Sequence, residues 1–149
     1  MKTDILIKTD IKFNDYGEVF RHLADRLIAE GFVKESYLEA IFKREKDFPT
    51  GIALEHHAIA IPHSDALHAL KPVIYFIRPN KPVQFNRSDE DGVVDAELII
   101  ALVVTDPQDQ LVILRKLFGK LQDNEFIEQL LIANEESLPF LIEQNLSFS

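Results

Sequence analysis

The stretch Leu98-Ile99-Ile100-Ala101-Leu102-Val103-Val104 is an unbroken apolar run of seven residues. A strand with one face in water alternates apolar and polar residues, whereas a run without polar residues is typical of a strand covered on both faces. The run therefore predicts a central strand that has helices packed above and below it.

Shorter apolar segments on either side of this run predict the other strands. They cover residues 5–11, 52–54, 58–61 and 73–77. The acidic segment 86–95 contains Gly92 and has the composition of a solvated loop.

Apolar residues at helical spacing predict two helices before the middle strands. The first begins after Asn14 or Asp15 as N-cap and stops at Gly31. The second covers residues 34–46 and ends before Pro49.

The last third of the chain is predicted to be helical. Asp106-Pro107 is a helix start signal, and Asp123 or Asn124 caps the next helix. A last short helix covers residues 138–142, with a proline suited to its first turn. Strands between two groups of helices predict an α/β fold, a three-layer α/β/α sandwich with a mixed, largely parallel central sheet.

Composition limits the classes of function. The chain has 149 residues, a formal net charge of −9 and no cysteine. The length predicts one domain over residues 1–149, and the negative charge argues against nucleic-acid partners. Without cysteine there is no disulfide, thiolate nucleophile or cysteine-based zinc site. No apolar run has bilayer length and the first residues lack a signal-peptide pattern, so we expect a cytoplasmic protein without membrane insertion.

His63 stands at the end of the strand segment Ala58-Ile59-Ala60-Ile61-Pro62-His63-Ser64. Proline removes a ladder donor and ends the strand, which holds the imidazole at a fixed chain exit. Reactive groups in open α/β proteins are usually found at such strand ends.

A histidine at this position could bind a metal, act in a hydrolase or accept a phosphoryl group. Four of the five histidines lie within residues 56–68, but none forms a helical i, i+4 pair, so no metal site is expected. Ser64 beside His63 lacks the Gly-x-Ser-x-Gly elbow of many hydrolases; a Ser-His-Asp triad stays open, although no pattern favours it. Phosphoryl transfer fits better, because a neutral imidazole has a ring nitrogen lone pair near pH 7.

A phosphoryl-accepting imidazole needs two kinds of support. Its second nitrogen must be fixed by an acceptor, and the phosphate oxygens need donors from backbone N–H groups or arginine. The segment Ser64-Asp65-Ala66 is predicted to open a helix whose amides point at the phosphate.

The order Arg44-Glu45, then Thr50-Gly51-Ile52, then Ala58 to His63 resembles the enzyme IIA family of the bacterial sugar phosphotransferase system. The branch is the fructose/mannitol type (type 2), and the galactitol-type members are the most similar. The resemblance runs over roughly residues 27–133 and includes Arg78-Pro79 and the helix start at Gln110.

The resemblance implies a phosphocarrier. His63 would accept a phosphoryl group from the HPr protein and pass it to a cysteine of a cognate IIB protein, for uptake of a sugar or hexitol through the membrane component IIC. Galactitol is the substrate that the resemblance favours, and no cofactor or metal is implied. A regulatory module, whose phosphorylation state controls protein binding, is the alternative. A metal-dependent enzyme is a third possibility.

The resemblance also assigns roles to neighbouring residues. Arg44 would neutralise the phosphate, although composition alone describes it as one charge in a solvated run. Thr50 and Gly51 would contact the phosphate or only form a turn, and Ser64 is a further phosphate contact. Gln110 stands where many relatives have a second histidine and would orient His63 or its phosphate.

A surface for partner proteins should surround His63. Ile61, Pro62 and Leu67 are predicted to form its apolar rim. The remaining histidines are not expected to take part in the chemistry.

Overall fold

The protein was analysed as a computed structural model that describes residues 3–146. The first part of the chain forms β1 Asp4–Ile11, α1 Tyr16–Ala29, α2 Tyr37–Asp47, β2 Gly51–Ala53 and β3 Ala58–Ala60. A 3₁₀ turn at Ala66–His68 leads to β4 Val73–Pro79, β5 Val83–Asn86, β6 Val93–Ala96 and β7 Leu98–Val103. The chain continues with α3 Pro107–Leu121, α4 Asn124–Ile132 and α5 Leu138–Asn145.

The predicted central strand is β7, and all of its residues are buried. It is the middle strand of a five-stranded sheet with the order β1-β4-β7-β3-β2. Alternate β7 side chains enter two separate cores. Ile99, Ala101 and Val103 pack toward α1 and α2, whereas the side chains between them pack toward α3, α4 and α5. The three-layer prediction is therefore confirmed.

The sheet is mixed, as predicted, but it is not largely parallel. β1 with β4 and β3 with β7 are parallel, whereas β4 with β7 and β2 with β3 are antiparallel. The reason lies in the connections. No α-helix lies between β2 and β3, or between β4 and β7, and a parallel pair needs a long crossover, usually a helix.

Acidic side chains cap three of the helices at the predicted positions. Asp15, Asp106 and Asp123 each accept a hydrogen bond from a backbone N–H of the first turn. Gly31 follows α1 with φ 78°, the left-handed conformation that glycine adopts most easily. α2 begins at Tyr37, three residues later than predicted.

Part of the segment predicted as a solvated loop forms strands. β5 and β6 pair as an antiparallel hairpin, and only residues 87–92 form its turn. Val83, Phe85, Val94 and Ala96 are buried while the residues between them are exposed, which is the period of a half-covered strand. The acidic residues and Gly92 lie in the turn and on the exposed face of the hairpin. Their number hid the alternation of buried and exposed residues in the sequence.

The hairpin lies against the start of β2, where Gly51 allows close approach. A Cβ atom at Gly51 would lie 2.5 Å from the Asn86 carbonyl oxygen and 2.8 Å from Val94 Cγ2. Gly119 of α3 has no atom within 4 Å of such a Cβ.

We predict that Gly51→Ala destabilises the fold by about 1–3 kcal/mol, because the new methyl group meets backbone that must move. Gly119→Ala is the control and should stabilise by about 0.5–1 kcal/mol, since alanine favours a helix interior. Urea unfolding followed by circular dichroism measures both. Equal stability of Gly51→Ala and the unchanged protein would contradict the close approach.

Candidate active site

His63 is held by the central strand. The Leu102 N–H donates to the Pro62 carbonyl at 3.1 Å, and His63 forms a parallel bridge with Leu102. The pairing of β3 with β7 thus continues past the proline to His63 itself. The ring is half-buried, so one part of it is fixed against the protein and another part faces the surface.

One hydrogen bond sets the tautomer of this ring. Nδ1 of His63 lies 2.8 Å from the Ile61 carbonyl oxygen. A carbonyl oxygen can only accept, so Nδ1 carries the proton and donates. In the neutral ring the lone pair is therefore on Nε2, which is the nucleophilic atom.

The surroundings keep the ring neutral. Burial lowers the pKa of His63 below its ordinary value, and the nearby Arg44 guanidinium lowers it further. The Ile61 carbonyl and Asp65 act in the opposite direction, but the lowering effects are stronger. A neutral imidazole at pH 7 is the form that can accept a phosphoryl group.

Arg44 lies in the last turn of α2, and one of its N–H donors is unpaired within residues 3–146. Its guanidinium stacks over the Phe48 ring, with 4.8 Å from Cζ to the ring centroid, and Nη1 is 3.7 Å from an Asp65 oxygen. Nε is buried and has no hydrogen-bond partner among the described residues. A positive group with an unsatisfied donor next to the histidine is suited to phosphate oxygens.

The surface beside Arg44 is concave and partly apolar. A cavity of about 440 Å³ lies between α2 and residues 64–68, and Arg44, Ser64 and Asp65 are among its lining residues. Phe48 and Leu67 are exposed beside it. The prediction of Leu67 as a rim residue agrees with this exposure.

Ile61 and Pro62 were wrong as rim contacts, because both are buried. Ile61 packs in the core under α3, α4 and α5, and its neighbour carries the carbonyl that receives the Leu102 N–H. The apolar residues of this strand segment pack in the core, whereas the exposed apolar residues beside the cavity, Phe48 and Leu67, lie at a helix end and in the 3₁₀ turn.

Gln110 reaches the segment that carries His63. Its Nε2 donates to the Ser64 carbonyl at 3.3 Å. The contact links the first turn of α3 to the backbone one residue after the histidine. The residues that follow form only the short 3₁₀ turn, so the helix predicted to point amides at a phosphate is a single turn.

Thr50 is engaged by a residue that the sequence analysis did not single out. Its N–H and its hydroxyl donate to the two oxygens of Glu45, at 2.7 Å and 2.6 Å. Glu45 is 2% exposed. Burial raises the pKa of its carboxyl group, although the hydrogen bonds from Thr50 oppose that change. A phosphate contact by Thr50 or Gly51 stays a prediction.

A signal for Glu45 was present in the sequence. The buried stripe of α2 consists of Tyr37, Ile41 and Glu45, at a spacing of four residues. A carboxyl group on the apolar stripe of a helix must find a buried partner.

The other histidines have structural contacts. His22 lies 2.7 Å from the Tyr75 hydroxyl, His68 lies 2.8 Å from the Ser36 hydroxyl, and His57 lies 3.1 Å from a Glu97 oxygen. Across residues 3–146, no three histidine, cysteine, aspartate or glutamate side chains are arranged to hold a metal ion. None of the described helices is both long enough and apolar enough to cross a bilayer.

A neutral imidazole with a free Nε2, next to a guanidinium with an unpaired donor, has the features of a phosphoryl-accepting histidine. Comparison with known families agrees with this class. The family model described as "Phosphoenolpyruvate-dependent sugar phosphotransferase system, EIIA 2" matches residues 2–145. The chain belongs to this family, whose members are phosphotransferase components.

Individual proteins and solved structures are similar to most of the chain. The galactitol-specific EIIA component of Escherichia coli (strain K12) is 44% identical over 136 residues, which cover 91% of each chain. The solved complex of enzyme IIA and phosphorylated enzyme IIB for mannitol, from Escherichia coli, matches with a TM-score of 0.70 and 26% identity over 92% of this chain and 94% of that one. The nitrogen regulatory protein IIA-Ntr of Neisseria meningitidis matches with a TM-score of 0.75 and 26% identity, over 91% and 92% of the two chains.

We predict that the pKa of His63 lies below that of a free histidine and rises in Arg44→Ala, because the positive guanidinium disfavours the imidazolium form. Asp65→Asn is the matched control and should lower the pKa further, since it removes a negative charge. Ring NMR titration measures all three proteins. A His63 pKa above the free value, or shifts of the same sign in both variants, would contradict this electrostatic description.

Proposed function

We propose that the chain acts as one IIA domain over residues 1–149, in the cytoplasm, with His63 as its phosphorylated residue. The phosphoryl donor is phospho-HPr and the acceptor is a cysteine of a cognate IIB protein, which serves uptake through the IIC component. The hydrogen bond from His63 Nδ1 to the Ile61 carbonyl carries this proposal, because it leaves the lone pair on Nε2. The 44% identity to the galactitol-specific component supports galactitol as the sugar.

In the first transfer, the Nε2 lone pair attacks the phosphorus atom of the donor phosphohistidine. The new N–P bond forms as the donor N–P bond breaks, and that electron pair returns to the donor ring. His63 keeps its Nδ1 proton and gains positive charge, which the Ile61 carbonyl stabilises.

In the second transfer, a cysteine thiolate of IIB attacks the phosphorus atom. The S–P bond forms and the Nε2–P bond breaks, so the electron pair returns to the His63 ring. The neutral imidazole is a good leaving group from the positively charged phosphoimidazole, and the ring regains its starting tautomer without a change at Nδ1.

Arg44 supplies charge neutralisation for both transfers. Its unpaired Nε and its half-buried guanidinium suit the three phosphate oxygens, which spread their charge in the transition state. Ser64 lines the same cavity and is a further candidate contact. Gln110 acts as an orienting residue through the Ser64 carbonyl.

His63→Ala should abolish the phosphoryl label when the protein is incubated with phosphoenolpyruvate, enzyme I and HPr, because Nε2 is the acceptor atom. His68→Ala is the matched control and should be labelled like the unchanged protein, although it lies in the same segment. Label in His63→Ala at the normal level would reject the site.

Arg44→Ala should slow phosphoryl transfer from phospho-HPr by roughly a hundredfold, because an electrostatic donor to the transition state is lost. Rapid-quench labelling measures the rate, and urea unfolding checks that the fold is retained. Lys43→Ala, the exposed neighbour on α2, is the control. A rate within twofold of the unchanged protein would mean that Arg44 has no part in transfer.

The structural likeness to IIA-Ntr favours a second candidate, a regulatory role. The two candidates differ in the acceptor of the phosphoryl group. Transfer from labelled protein to a galactitol-type IIB protein, with label on the IIB cysteine, supports transport. Retention of the label together with phosphorylation-dependent binding of another protein supports regulation.

A further inference from the structure

We propose that Glu45 is a positioning residue for phosphoryl transfer: it holds Thr50 and, through Thr50 and Ile61, fixes the ring of His63. The role depends on the proposed function of His63 as phosphoryl acceptor. It is separate from that function because both oxygens of Glu45 are engaged by Thr50, and Glu45 reaches the ring only through Thr50 and Ile61.

The first step is the clamp between Glu45 and Thr50. Each oxygen of the carboxyl group accepts one hydrogen bond, from the Thr50 N–H at 2.7 Å and from the Thr50 hydroxyl at 2.6 Å. Both residues are buried, with exposures of 2% and 6%. Two short, buried bonds to one residue fix the backbone at the start of β2.

The second step connects Thr50 to the site. The Thr50 carbonyl accepts the Ile61 N–H at 3.1 Å, and the Ile61 carbonyl accepts Nδ1–H of His63 at 2.8 Å. An unbroken series of hydrogen bonds and covalent links therefore runs from the Glu45 carboxyl group to the ring. The carbonyl that selects the tautomer of His63 takes its position from this series.

The third step concerns Arg44, which precedes Glu45 in the last turn of α2. Glu45 ties that turn to β2, so one clamp sets the position of both the guanidinium and the imidazole. The Phe48 N–H closes the helix end by donating to the Arg44 carbonyl at 2.7 Å. Phosphoryl transfer is sensitive to displacements of about 1 Å between such groups.

The carboxyl group at position 45 satisfies the buried Thr50, which an apolar side chain could not do. An apolar side chain would continue the stripe of Tyr37 and Ile41 without the cost of burying a polar group. It would also leave the Thr50 N–H without its acceptor and free the start of β2.

The chain contains a matched control for this arrangement. Glu135 accepts the N–H and the hydroxyl of Thr9, both at 3.0 Å. The two donors are of the same kind as at Thr50, but Oε1 of Glu135 accepts both bonds and Glu135 is exposed, so this pair controls for the contact and not for its burial. Thr9 lies on β1, the edge strand separated from β3 by β4 and β7.

The experiment compares Glu45→Ala, Glu45→Gln and Glu135→Ala. We expect Glu45→Ala to lower the maximal rate of transfer from phospho-HPr about tenfold or more, with little change in KM, because the docking surface is intact. Glu45→Gln should recover most of the rate, since its amide can accept the Thr50 N–H and donate to the Thr50 hydroxyl. Glu135→Ala should transfer at the normal rate.

A second measurement does not depend on transfer. With ¹⁵N-labelled histidine, the ring shifts of His63 report the fraction of protons on Nδ1 and Nε2. Glu45→Ala should raise the fraction of the Nε2–H tautomer, while Glu135→Ala leaves it unchanged. If Glu45→Ala does not fold, Thr50→Val removes one of the two bonds and should change rate and tautomer in the same direction.

Three outcomes would overturn the proposal: an unchanged maximal rate and tautomer in Glu45→Ala, a change in KM alone, or an equal loss in Glu135→Ala. Failure of the proposed function is recognised separately. In that case the unchanged protein takes no label from phospho-HPr, while the tautomer measurement still decides whether Glu45 positions the ring.

Discussion

The parallel pairing of β3 with β7 is the constraint on which the site depends. β3 is only three residues long, so by itself it could not fix the chain that follows. Its partner β7 is buried in both cores, and the Leu102 N–H continues the pairing to the Pro62 carbonyl. The fully buried central strand thereby sets the position of His63.

A backbone group sets the tautomer and the orientation of the His63 ring. The Ile61 carbonyl selects the tautomer by accepting the Nδ1 proton of His63. A side-chain acceptor would bring rotamer freedom, and a carboxylate would also raise the pKa of the ring. A neutral carbonyl on a fixed strand orients the imidazole with a weaker effect on its charge.

The sequence reveals those parts of the structure that follow from local patterns. The apolar run 98–104 identified the central strand, and aspartates before apolar stripes identified the starts of α1, α3 and α4. The β5–β6 hairpin was missed because its buried positions are few and its turn is strongly acidic. The roles proposed for Arg44 and His63 were predicted from their motif. The same motif contains Glu45 and Thr50, but the hydrogen bonds between them could not be predicted, since they depend on how α2 meets the start of β2 in three dimensions.

The degree of burial of His63 affects both the pKa of its ring and its access to partner proteins, and the two effects oppose each other. Deeper burial would lower the pKa of the ring further and keep it neutral, but it would also deny access to two protein partners. Arg44 relieves this conflict, because its charge lowers the pKa of His63 without further burial of the ring. In the proposed transfer the same charge would favour the phosphorylated ring, since the guanidinium would then face an anion. A single cation would thus support both the neutral nucleophile and its phosphorylated form, with the ring only half-buried.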